Sequence, residues 1–122
     1  MRILSIAGAA LLIAGAANAQ ADRPAATKAY VDACVEQLDH ALQNPEPVCA
    51  CEAGFFSASM TESQYKIVGR LSPYWLDIFA MNSEINKMTA NEGYTADQIF
   101  AAIELFDSLD EDITLTCEIL QR

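Results

Sequence analysis

Positive charge is scarce in this 122-residue chain: 7 Lys plus Arg stand against 17 Asp plus Glu, a net charge of −10. No Lys-rich or Arg-rich run occurs, and phosphate backbones and anionic lipid surfaces need such clusters, so nucleic acid is not expected as a partner. Histidine is nearly absent. His40, next to Asp39, has no Ser or free Cys nucleophile marked out for it, and reads as a solvated surface residue. A Gly-rich phosphate loop and a C-x₂-C metal pair are both missing, so no cofactor or metal is expected. Asp107 and Glu118 have the spacing of the first and last ligands of an EF-hand loop, but Leu109 takes a ligand position and Asp112 the position that needs Gly. No segment alternates at period two for long, which leaves strands without support.

What the chain does have begins at its start. Met1-Arg2 precedes an uncharged, largely apolar run from Ile3 to Ala16, and Ala17-Asn18-Ala19 is an A-x-A cleavage site followed by polar residues. Residues 1–19 read as a secretory signal peptide, too short for the roughly 20 apolar residues of a membrane span. No Cys lies near the cleavage site for lipid attachment, and no later segment is apolar enough to span. The mature chain is expected to be periplasmic or secreted, with no membrane span. Cleavage removes Arg2 and no acid, so the mature chain is the more acidic one.

The remainder reads as short helices. Residues 20–27, with Pro24, are expected to form a flexible leader, and 28–122 a single helical domain. Val31, Cys34, Val35, Leu38 and Leu42 fall on one helix face, which Asn44-Pro45 and Pro47 end. A second helix is expected from about Val48 to Ala58. Thr61 with Gln64 and Thr95 with Gln98 spell capping boxes, and Met60/Tyr65 and Tyr94/Ile99 the matching hydrophobic staples. Ser72-Pro73 reads as an N-cap with Pro at the first helical position, starting a helix through Trp75, Ile78, Phe79, Ile85 and Met88 with a break near Asn82-Ser83. A last helix is expected from about Asp110, its start crowded with acids that favour the macrodipole. The fold class is therefore all-α: a small bundle of five or six short helices stapled by two disulfides.

Four Cys in an exported chain of this size read as two bridges. Cys49 and Cys51 are too close to join each other without strain, and on a helix they point about 200° apart, so each seeks a distant partner. With Cys34 about two turns before the end of its helix, an antiparallel hairpin brings it to the deeper residue, which predicts Cys34–Cys51 and Cys49–Cys117.

About 100 residues of short helices leave little room for a shaped cleft, so no catalysis is expected. Tyr74 and Trp75 are adjacent and do not both point inward, which makes them a candidate interaction surface. The general type is similar to acid-stress periplasmic chaperones and to periplasmic immunity or inhibitor proteins. The leading expectation is a protein that binds another protein, a basic one steered by the acidic surface. The alternatives are an acid- or stress-responsive chaperone and a thiol-redox protein using the Cys49-x-Cys51 segment.

Overall fold

The computed structural model describes residues 23–119, and the expected signal peptide and residues 20–22 lie outside them. All-α architecture is confirmed: five helices and one 3₁₀ turn, with no strand among the described residues. Among the described residues helix α1 covers 23–38, α2 Glu46–Ser59, α3 Glu62–Leu71, α4 Ile78–Asn91 and α5 Ala96–Glu118, with the 3₁₀ turn at Ser72–Tyr74.

Residues 23–27, expected within a flexible leader, are helical and belong to α1. Pro24 lies in this stretch and is exposed. Arg23 ties that stretch down: its Nε donates to Glu62 Oε1 at 3.2 Å and its Nη1 to the Ser57 carbonyl at 2.6 Å. Ala26 is buried against Gly69 of α3, where a methyl group would lie 3.0 Å from the Ala26 backbone. Glycine here permits close helix approach, not a special backbone angle.

Both capping boxes form as their sequences dictate. Thr61 N donates to Gln64 Oε1 at 2.9 Å while Gln64 N donates to Thr61 Oγ1 at 3.3 Å, and the Thr95/Gln98 pair repeats this at 2.9 and 3.1 Å. The helix expected from Ser72 does not form. The Ser72 hydroxyl turns back to donate to the Val68 carbonyl at 2.6 Å, and the chain makes only a 3₁₀ turn. Asp77 caps α4 instead, accepting from Ala80 N at 3.1 Å, and α4 continues unbroken through Asn82-Ser83. Likewise no new helix starts near Asp110, because α5 runs through it without interruption.

Two hydrophobic clusters meet along α3 and α5. The larger holds Tyr30, Val48, Phe56, Tyr65, Val68 and Phe106, and the smaller Ile67, Leu71, Ile85, Met88 and Ile99. Trp75 packs against both. Arg70 fastens the second cluster from outside, donating to Glu84 of α4 at 2.6 Å and to Glu92 just beyond it at 2.7 Å. These hydrogen bonds hold the Glu92 carboxyl below the usual carboxylate range.

The two bridges exist with the other pairing: Cys34–Cys49 and Cys51–Cys117. The expected assignment placed Cys34 two turns from a helix end near Leu42, but α1 stops at 38 and 39–45 is non-helical. Cys34 is thus one turn from the end and meets the shallower residue of α2. Cys51, on the other side of α2, faces α5. Two disulfides fit an oxidising, exported environment, and no described helix is long and apolar enough to cross a membrane.

Candidate functional site

Three helices enclose a cleft of about 520 Å³ that the sequence did not lead us to expect. The faces that line it follow helical spacing. Tyr30, Ala33, Cys34, Gln37 and Leu38 come from α1, Val48 and Glu52 from α2, and Phe106, Asp110, Thr114 and Glu118 from α5 at successive i+4 positions. Leu42 and Ala41 close one rim, and Ser72 and Trp75 from the 3₁₀ segment another. The floor, with Tyr30, Ala33, Val48, Glu52 and Phe106, is buried, whereas Gln37, Ala41 and Glu118 at the mouth are exposed.

Aromatic packing fixes the apolar part. Phe106 stacks on Phe56 with centroids 4.5 Å apart, meets the Trp75 ring edge-on at 4.6 Å, and lies 6.3 Å from Tyr30. Each such pair contributes about 0.5–1.5 kcal/mol beyond its buried area. Trp75 is therefore held by the core on one side and lines the cleft on the other.

The polar part is acidic. Glu52 is only 5% exposed, accepts from the Tyr30 hydroxyl at 3.1 Å, and lies 3.5 Å from Cys34 Sγ, a disulfide sulfur with no proton to give. Burial pushes the Glu52 carboxyl above the usual range; the Tyr30 hydrogen bond opposes this and the charges of Asp110 and Glu118 add to it. Asp110 is also raised, by burial first, although Thr114 donates to it at 3.4 Å. Tyr30 is raised by burial and by Glu52, so its hydroxyl stays protonated and remains a donor.

A raised carboxyl binds its proton more tightly in the folded chain than in the unfolded one. The stability this gives is complete below the ordinary carboxyl pKa and is lost as pH rises through the raised value. Glu52→Gln, neutral at every pH, is expected to flatten the fall in urea stability that the parent shows as pH rises above the ordinary carboxyl pKa of about 4.3. A slope identical in the two proteins would contradict this role for Glu52.

The acids of α5 also need a new reading. Asp110, Glu111 and Asp112 lie in the second half of a helix, not at its start, and Glu118 is its last residue with no basic side chain in the final turn. The macrodipole disfavours Glu118 there. Asp110 and Glu118 instead share one stripe with Thr114 that looks into the cleft.

Of the residues singled out from sequence, all four Cys are bridged and Cys34 lines the cleft. Cys49 and Cys51 bond to different partners and do not form a dithiol with each other. Tyr74 and Trp75 are half-buried. The three most exposed large apolar residues follow them: Leu76 at 82%, Ile78 at 69% and Phe79 at 85%. Sequence reasoning missed the stripe Phe106, Asp110, Thr114, Glu118, whose i+4 repeat was its available signal.

No protein-family model, curated protein or solved structure matches this chain. Its class is defined by fold and site: a disulfide-stapled helical bundle with a half-open apolar cleft and an acidic wall.

Proposed function

We propose that the chain is an exported, periplasmic or secreted, non-catalytic binding protein that holds a small, largely apolar molecule between α1, α2 and α5. The cleft carries this reading: its volume of about 520 Å³ falls within the ~300–1,000 Å³ of ligand pockets, and its mainly apolar lining with a few convergent polar groups is their usual composition. Both disulfides support it by tying α2, one wall, to α1 and α5, the other two. The chain has one Trp, and Trp75 lines the cleft, so its emission reports occupancy directly. Filling the cleft from the buried side with Ala33→Phe, or from the exposed rim with Ala41→Phe, is expected to weaken decanol binding about tenfold or more with helicity unchanged. Parent-like binding in both folded variants would refute the reading.

A second reading rests on a different surface. Leu76, Ile78 and Phe79 place three large exposed apolar side chains within four residues on an acidic protein, which favours a basic protein partner whose contact includes an apolar pocket. The Tyr74/Trp75 surface expected from sequence shifts to these neighbours in that reading.

A further inference from the structure

The composition of the cleft wall specifies more than an apolar ligand. Three carboxyl groups line it, those of Glu52, Asp110 and Glu118, and among the described residues its lining contains no Lys, Arg or His. The nearest hydrogen-bonding partners of the acids are hydroxyls, from Tyr30 and Thr114. Four basic side chains among the described residues pair away from the cleft: Arg23 with Glu62, Lys28 with Asp32, Arg70 with Glu84 and Glu92, and Lys87 against Glu84. An anionic ligand would bring a further negative charge to this wall. A positively charged head beside it would supply a counter-charge that no described lining residue provides, and an apolar tail would cover Leu38, Leu42, Val48, Trp75 and Phe106.

We propose that the cleft selects an amphiphilic organic cation, an ammonium group on an apolar body, with the ammonium donating to the carboxyls of Glu52 and Asp110 and the body lying on Trp75 and Phe106. This rests on the ligand-binding reading above. An organic cation is favoured over a metal ion because no group of three or more His, Cys, Asp or Glu with metal-holding geometry occurs among the described residues, and because the mainly apolar lining around the carboxyls suits an organic body. An ammonium has three donors in a compact head, which suits acceptors contributed by two different helices. Glu118, at the exposed mouth, adds attraction for an approaching cation without being sequestered with it.

The test is a matched set of ten-carbon ligands, decylamine, decanol and decanoate, titrated below micelle formation into the disulfide-intact protein, with Trp75 emission and calorimetry as readouts. The amine is expected to bind about tenfold or more tightly than the alcohol, and decanoate more weakly than either. In Glu52→Gln and in Asp110→Asn the amine-to-alcohol ratio is expected to fall towards one while decanol still binds. The second variant, at a half-buried site, keeps the test available if the first does not fold. Asp107→Asn and Glu111→Gln, exposed on the same helix, control for general attraction to an acidic protein and should preserve the ratio. Equal binding of all three ligands, or loss of the preference in those controls, overturns the head-group assignment and leaves an apolar cleft. If none of the three binds, the ligand-binding reading itself fails.

Discussion

Removing the Cys51–Cys117 bridge by the double substitution Cys51→Ala/Cys117→Ala is expected to destabilise the protein by about 4 kcal/mol, against about 3 kcal/mol for Cys34→Ala/Cys49→Ala, on chain-entropy grounds. The difference follows from the loops closed, 66 residues apart in one bridge and 15 in the other. The longer bridge also joins α2 to α5, the pair that shares Phe56 and Phe106 and frames two walls of the cleft. Cys117 is fully buried, so its truncation also leaves a small void at that joint. Urea unfolding of the two variants beside the parent measures the order. An equal or smaller loss for the Cys51–Cys117 variant would mean that loop length does not govern the stapling of this bundle.

Phe106→Ala is expected to cost about 3–5 kcal/mol, the range for deleting a buried aromatic side chain. Its ring is 6% exposed and touches Phe56, Trp75 and Tyr30, so its loss opens the larger cluster at the point where three aromatic contacts converge. Phe79→Ala provides the comparison. At 85% exposure it makes no comparable core contact, and the same chemical change should stay within about 0.5 kcal/mol. Thermal and urea unfolding of the two variants measure the contrast. Comparable losses at both positions would show that the ring of Phe79 is packed in solution and that the surface at Leu76–Phe79 is not free.

The contrast between these two phenylalanines shows where sequence reading reaches its limit. Thr61 with Gln64 and Thr95 with Gln98 were legible because capping is local: donor and acceptor are three residues apart and no tertiary contact is needed to pair them. Ser72 is ambiguous in sequence because its hydroxyl has two local options, and the one taken, the Val68 carbonyl, ends α3 instead of starting a helix. The acids from Asp107 to Asp112 looked like a helix start because that is where acids are favoured locally. The structure keeps α5 continuous by burying Phe106, Ile113 and Cys117 along one side of it.

The cysteine pairing turned on a single quantity, the position at which α1 ends. Had the helix continued to Leu42, Cys34 would lie deeper in the hairpin; with the end at 38, it meets Cys49. The expectation that short helices leave no cleft failed for a related reason. A disulfide at each side of α2 fixes its spacing from α1 and α5, and the floor residues Ala33 and Val48 are too small to fill the space between. Glu52 carries no sequence signal of its own, since its role in the cleft depends on Tyr30 of one helix and Asp110 of another.

Titration of decylamine into the disulfide-intact protein, followed by the emission of Trp75, tests the cleft most directly. The expected result is a saturable change at one ligand per chain, weakened about tenfold or more in Ala33→Phe and in Ala41→Phe. A change that does not saturate, or one that both filled variants reproduce in full, would contradict a binding site between α1, α2 and α5.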